Sequence, residues 1–147
     1  MIEINENVQV VQDLYAAFDQ GDLPGLINLL AEDVDWHFNG RSEDIPLAGH
    51  WRGHKQMMEF FSQVAATCEV FSFGPNEVID CGEHVLALGH VHVQVKATGR
   101  QFETNSIHLF TLKDGLIIRV REFYDTAVMA HAFLPSESLP GKPQKSF

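Results

Sequence analysis

The chain has 147 residues, of which 45% are apolar, and 20 acidic against 10 basic side chains give it a formal net charge of −10. This length suits one domain with one core. The negative charge disfavours nucleic acid and anionic membrane surfaces as partners, because it repels phosphate groups. There is no apolar run of the roughly 18 residues that a membrane-spanning helix requires, and no secretion signal is recognisable at the start. With only Cys68 and Cys81 as thiols, the sequence predicts a soluble cytoplasmic protein without a disulfide framework.

The first part of the chain has the periodicity of helices. Apolar residues recur at helical spacing over residues 6–20, with Asn5 suited to cap the start and Gly21 to end the helix. Asp22 then caps a shorter second helix, and a third is predicted over about residues 54–67. Between the second and third helices, residues 34–38 have the pattern of a short strand and residues 39–49 that of a loop.

From Glu69 onward the apolar residues alternate or run continuously between turn signals, which predicts an antiparallel meander. Its long strands are predicted near residues 83–96, 101–112 and 116–124, with a short helix at 126–133. We expect an α+β fold in which three N-terminal helices close one side of a strongly curved antiparallel sheet. The concave side then becomes a pocket and the convex side a homodimer interface. Residues 1–134 form the single domain, and residues 135–147 are expected to be a mobile tail or to lie on a neighbouring subunit.

Strand alternation groups the polar residues of the second half into faces, because residues two apart point the same way. The groups are His90 with His92, Ser106 with His108 and Phe110, and Glu122 with Tyr124. If all these faces are concave, three imidazoles, a carboxylate and a phenol converge in the pocket. Imidazole titrates near neutral pH, and burial can raise a carboxyl pKa towards it, so this set has the composition of an acid/base site.

Other interpretations of these residues remain open at this stage. Tyr124 could be a core aromatic residue, and Asp125 could serve only as the N-cap of the last helix. His90, His92, His108 and Glu122 also have the composition of a first-row metal site, which we keep as a less favoured alternative.

Three segments carry a resemblance to a known family. They are VQDLYAAFDQGDLPGLINLLAEDVDW at 11–36, GHWRGHKQMMEFF at 49–61 and IHLFTLKDGLIIRVREFYDT at 107–126. Together they resemble the SnoaL-like members of the nuclear-transport-factor-2-like, or ketosteroid-isomerase-like, superfamily. The resemblance implies a cone-shaped pocket between the first helix and the sheet, and activity without a cofactor. The superfamily includes isomerases, polyketide cyclases, dehydratases, epoxide hydrolases and non-catalytic binding modules, so the resemblance is weakly specific for function.

Placed against the ketosteroid isomerases, the chain lacks their catalytic identities. The catalytic Tyr and two Asp of those enzymes fall at Leu14, Phe38 and His108, so steroid isomerisation by that set is not expected. The candidate catalytic residues are His90, His108, Glu122 and Tyr124. The candidate ligand-binding residues are Leu14, Trp36, Phe38, Met57, Phe60, Leu88, His92, Ser106, Phe110 and Val120.

The sequence thus favours a cofactor-independent isomerase, cyclase or dehydratase acting on a small apolar or carbonyl-bearing molecule. In this hypothesis His108 or Glu122 moves a proton, while His90 and Tyr124 stabilise charge on oxygen. The alternatives are a non-catalytic module that binds a ligand or a protein, and a metal-dependent enzyme that uses His90, His92, His108 and Glu122.

Overall fold

The structure is a computed structural model that describes residues 6–135. Its elements, in chain order, are α1 (Glu6–Gln20), α2 (Leu23–Ile27), β1 (Leu30–Phe38), β2 (Gly49–Arg52), α3 (Gly53–Thr67), β3 (Cys68–Cys81), β4 (His84–Val95), β5 (Gln101–Lys113), β6 (Leu116–Tyr124) and α4 (Thr126–Phe133). The α+β class and the three N-terminal helices are confirmed. The Asn5 cap and the tail beyond residue 135 lie outside the described residues.

The helices form where their apolar stripes and caps predict them. Helix α1 buries Val11 and Leu14 on one face. Helix α2 starts at Asp22, whose side chain accepts a hydrogen bond from the backbone N–H of Gly25 at 3.0 Å, as N-cap residues do. Asp125 caps α4 in the same way, accepting from the backbone N–H groups of Ala127 and Val128 at 3.2 and 3.3 Å.

The six strands form one sheet in the order β2-β1-β6-β5-β4-β3. Strands β3 to β6 are the predicted antiparallel meander, but β1 runs parallel to β6, with Phe38 opposite Glu122. The antiparallel meander is confirmed, and β1 joins it in parallel because β6 returns to β1 only after the whole meander and meets it in the same direction. Strand β2 was also missed, since four residues of alternating partial exposure are too short for their pattern to stand out from a loop.

The sheet curves where β3 and β4 depart from regular pairing. Bulges lie between Val70 and Ser72 and between Pro75 and Glu77, and bulges bend and twist a sheet locally. Helices α1 to α3 cover the concave side of this open sheet. Helix α4 packs on β5 and β4 through its buried residues. None of the described helices is long and apolar enough to cross a membrane.

Candidate functional site

A cavity of about 70 Å³ lies between the helices and the concave face of the sheet. This volume can hold several water molecules, each of which needs roughly 10–15 Å³ by the same measure. Predicted residues that line it are Leu14, Trp36, Phe38, Phe60, Phe110, His108, Glu122 and Tyr124. The predicted residues Met57, Ser106 and Val120 are buried but are not part of the lining. The walls are almost entirely apolar, so the few polar atoms determine what chemistry the cavity can perform.

A second cavity of about 260 Å³ adjoins the first at the C-terminal end of α1. The two share six lining residues, which are Phe18, Leu26, Phe61, Val64, Cys68 and Val70. The second cavity extends past the exposed Gly21 and the half-buried Leu23. The inner cavity is thus adjoined by a second, largely apolar cavity that lies nearer the surface.

Three hydrogen bonds connect the polar residues of the site in a row. The Tyr15 hydroxyl lies 2.5 Å from His108 Nδ1, and His108 Nε2 lies 2.9 Å from the Tyr124 hydroxyl. The Tyr124 hydroxyl donates to Glu122 Oε2 at 3.0 Å. Helix α1 supplies Tyr15, β5 supplies His108 and β6 supplies both other residues, and His108 and Glu122 are directly opposite each other across the β5–β6 pair.

The charge state of His108 determines the direction of these bonds. Complete burial lowers the pKa of His108 to about 3, so the imidazole is neutral near pH 7. A neutral imidazole has one donor and one acceptor nitrogen. When Tyr124 donates to Glu122, its oxygen is free to accept from Nε2–H, and Nδ1 then accepts from the Tyr15 hydroxyl. All three bonds are satisfied without a charged histidine.

Glu122 is the group in the site that titrates near neutral pH. Its side chain is buried, and this burial raises its pKa to about 7, against the lowering influence of the Trp36 indole N–H and the Tyr124 hydroxyl. The indole N–H approaches the carboxyl without the geometry of a direct hydrogen bond. Trp36 Nε1 and Glu122 Oε1 are consequently both buried without a hydrogen-bond partner among the described residues.

Both tyrosines remain protonated at neutral pH. Burial, and then the nearby Glu122 carboxylate, raise the pKa of Tyr15 and of Tyr124 well above the ordinary value. They can therefore pass hydrogen bonds along the row, but they do not supply charge to the pocket.

The predicted convergence of three imidazoles is wrong. In the β4–β5 register, His108 is opposite Ala87, whereas His90 is opposite Asn105. Cross-strand partners share a face, so His90 lies on the convex side, together with its β4 neighbours His92 and Leu88. Alternation relates residues within one strand, but it does not fix the register between two strands.

On the convex side the two histidines have surface partners. His90 Nε2 lies 3.4 Å from Glu103 Oε1, and His92 Nε2 lies 2.8 Å from Gln101 Oε1. Because the sheet separates them from His108 and Glu122, the four residues cannot share one metal ion. Within residues 6–135, no other group of three His, Cys, Asp or Glu side chains has the spacing of a metal site.

Two polar groups of the site were not predicted from the sequence. Tyr15 lies in the apolar stripe of α1, and Trp36 was predicted as a ligand-binding residue without a role for its indole N–H. A usable signal existed for Tyr15, because it is one of only two tyrosines in the chain and a buried phenol requires a hydrogen-bond partner. Both tyrosines bind the same imidazole.

The comparison that identifies the family covers most of the chain. Residues 11–120 match the SnoaL-like domain family. The chain belongs to this SnoaL-like family. No curated protein matches the chain.

Solved structures give the same assignment. An NTF2-like protein from Burkholderia xenovorans is 35% identical, with a TM-score of 0.81 over 88% of this SnoaL-like chain and 97% of that one. An NTF2-like protein from Burkholderia thailandensis is 25% identical, with a TM-score of 0.80 over 88% of this chain and 98% of that one. A proposed polyketide cyclase from Xanthomonas campestris is 20% identical, with a TM-score of 0.69 over 87% and 96%, and it shares the fold. The cone fold is thereby confirmed.

Proposed function

We propose that this SnoaL-like protein is a cofactor-independent enzyme that moves a proton on a small, largely apolar substrate, with Glu122 as the acid/base group. The observation that carries the proposal is a pair of buried atoms from cavity-lining residues, the acceptor Glu122 Oε1 and the donor Trp36 Nε1, which have no hydrogen-bond partner among the described residues. A buried polar atom without a partner is costly. A ligand with one oxygen and one acidic C–H group would satisfy both atoms.

The pKa of Glu122 fits this role. An acid/base group works best when its pKa is close to the operating pH, and burial brings that of Glu122 to about 7. In its ionised form, Glu122 Oε1 accepts the proton of a carbon next to a carbonyl, and the electron pair of the broken C–H bond forms an enolate. Trp36 Nε1 donates a hydrogen bond to the enolate oxygen.

Three reaction outcomes follow from the same enolate. Return of the proton to a different carbon is an isomerisation, attack of the enolate carbon on a second carbonyl is a cyclisation, and loss of a β-hydroxyl group as water is a dehydration. Fold neighbours include proteins proposed to be isomerases and a polyketide cyclase. The apolar walls and the adjoining second cavity favour a substrate whose apolar body extends towards Gly21.

The test needs no knowledge of the natural substrate. A panel of small aryl and alkyl ketones and 1,3-dicarbonyl compounds is incubated in D₂O, and exchange of the protons next to the carbonyl is followed by NMR. We expect the wild type to accelerate exchange for part of the panel and Glu122→Gln to lose roughly 100-fold or more. His90→Asn is the matched control, because its imidazole lies on the convex face, and it should keep the wild-type rate.

Two results would contradict the proposal. One is an absence of exchange for the whole panel, with any ligand carried through purification recovered unaltered, which would favour a binding module. The other is a Glu122→Gln variant that exchanges protons as fast as the wild type.

A further inference from the structure

The hydrogen-bonded row does not end inside the cavity. Its outer residue, Tyr15, also lines a surface groove between α1 and β3 together with Gln12, Asn76 and Glu77. This groove shares no lining residue with the inner cavity. One end of the row is thus the Glu122 carboxyl, and the residue at its other end, Tyr15, also borders a separate part of the surface.

We propose that Tyr15, His108 and Tyr124 form a proton path that joins Glu122 to this outer groove. The path would allow the carboxyl to exchange its proton with solvent while a substrate fills the inner cavity and the adjoining one. Its use during turnover rests on the proposed function, but its existence as a path does not.

Each residue of the path can both donate and accept a hydrogen bond while it remains neutral. The three links measure 2.5, 2.9 and 3.0 Å, all within the range of good hydrogen bonds. The direct approach of His108 Nε2 to Glu122 Oε2 is longer, at 3.5 Å. The route through the Tyr124 hydroxyl is therefore the better connected one.

The transfer moves one proton in total from Glu122 to a water in the groove. It begins with Glu122 protonated at Oε2 and donating to Tyr124, which donates to His108 Nε2, while Nδ1–H donates to Tyr15 and Tyr15 donates to a water in the groove. Each hydrogen then moves one step outward. Glu122 becomes a carboxylate, His108 changes from the Nδ1–H to the Nε2–H tautomer, both tyrosines stay neutral and the water becomes hydronium.

Few titratable groups surround Glu122, so its proton transfer can be followed experimentally. The titratable side chains that face it are Tyr124 from β6, His108 from β5 and Tyr15 from α1, and Cys68 at the start of β3 lines the same cavity. The cavity residues contributed by α2, α3 and α4 are apolar. A change in the His108 tautomer therefore reports directly on the proton of Glu122.

The experiment is a ¹⁵N NMR titration of the His108 ring from about pH 5 to about pH 9, with the signals assigned by their loss in His108→Asn. Protonated and unprotonated ring nitrogens resonate in different regions. We expect Nδ1–H at low pH and Nε2–H at high pH, with a neutral ring throughout. A ring that keeps Nε2–H through the whole titration would overturn the proposal, because the proton would then sit on Oε1 and the row would be static.

Two variants interrupt the path at different points. Tyr15→Phe removes the acceptor for Nδ1–H, so we expect the Nε2–H tautomer at every pH. If that variant does not fold, Tyr124→Phe separates His108 from Glu122 and should also abolish the pH-dependent change. Phe73→Leu is the matched control, since Phe73 packs against His108 at 5.3 Å without joining the row, and it should keep the change. A pH-dependent change that persists in a folded path variant would contradict the path, and the wild-type titration decides if neither variant folds.

These outcomes separate the path from the proposed function. A pH-dependent tautomer change in a protein that exchanges no substrate protons supports the path and contradicts the catalysis. A static tautomer in a protein whose activity requires Glu122 does the reverse.

Discussion

Glu122 Oε1 and Trp36 Nε1 lie in one apolar cavity, and neither atom has a hydrogen-bond partner among the described residues. The second carboxyl oxygen of Glu122 is held by Tyr124, which binds His108 and through it Tyr15. One oxygen is thus held by the protein, whereas the other has no hydrogen-bond partner among the described residues. A substrate can therefore bind at Oε1 while Tyr124 holds Oε2 in place.

The first prediction concerns the pH dependence of stability. The folded-state pKa of Glu122 is raised from 4.5 to about 7. Its contribution to stability is therefore fully present below pH 4.5 and is lost as the pH rises through 7. Two to three pKa units correspond to about 3 kcal/mol, so Glu122→Gln should increase the free energy of unfolding by about that amount at pH 8 and change it little at pH 4.5. Urea denaturation at both pH values measures this difference.

Glu103→Gln is the control for that measurement. The Glu103 side chain is 60% exposed, and among the described residues it pairs only with the surface residue His90, so its substitution should change stability by a few tenths of a kcal/mol at either pH. Equal effects of the two substitutions at pH 8 would contradict the burial argument for Glu122.

The second prediction concerns the indole donor. Trp36→Phe removes Nε1–H and leaves an aromatic ring in the cavity wall, beside Phe60 and Phe61. If Nε1 stabilises developing charge on the substrate oxygen, the exchange rate should fall by about 100-fold, with a smaller change in substrate affinity. Separate determination of kcat and KM for the most active ketone tests this. An unchanged kcat would remove Trp36 from the mechanism.

The third prediction concerns the bend of the sheet. A Cβ added at Gly89 would lie 2.3 Å from the carbonyl oxygen of Gly74 and 2.8 Å from Cα of Pro75. Backbone atoms cannot yield as a flexible side chain can, so Gly89→Ala should lower the free energy of unfolding by about 2 kcal/mol or more. Ala87→Ser, at the neighbouring position on the same buried face, is a control for small changes of side chain. A wild-type thermal midpoint for Gly89→Ala would show that β3 is not held this close to β4.

The fourth prediction retains the homodimer expected from the sequence. The convex face exposes Phe71 and Ile107, at 49% and 42% of their surface, and exposed apolar residues of this size favour a partner surface. Ile107→Lys should convert a dimer to a monomer in sedimentation equilibrium, whereas Met58→Lys, on the exposed side of α3, should not. A wild type that is monomeric at high concentration would contradict the prediction.

Much of the fold could be predicted because each helix and long strand has its own local pattern. The apolar stripe of α1 and the Asp22 and Asp125 caps are properties of neighbouring residues. The parallel β1–β6 pair and the short β2 could not be predicted, since their formation depends on distant segments. Patterns among neighbouring residues predict helices, strands and caps, but they do not predict which distant strands pair.

The residues of the site also include some that could be predicted from the sequence and some that could not. Glu122, Tyr124 and His108 meet in the cavity. Alternation predicted that Glu122 and Tyr124 share a face of β6, and the resemblance placed that face and His108 in the cone. Apart from Gly89, the odd residues of β4 form a buried aliphatic series, Val85, Ala87, Val91, Val93 and Val95, and this pattern argues against an inward His90. Tyr15 reaches His108 across 93 residues of sequence, a relation that no local pattern contains.

The central claim is that Glu122 is a buried carboxyl that gains and loses a proton near neutral pH. A ¹³C NMR titration of protein labelled at the glutamate side-chain carboxyl, with the Glu122 signal assigned by its absence in Glu122→Gln, measures this directly. We predict a midpoint at about pH 7. A midpoint below about pH 5, the ordinary range of an exposed glutamate, would contradict the account.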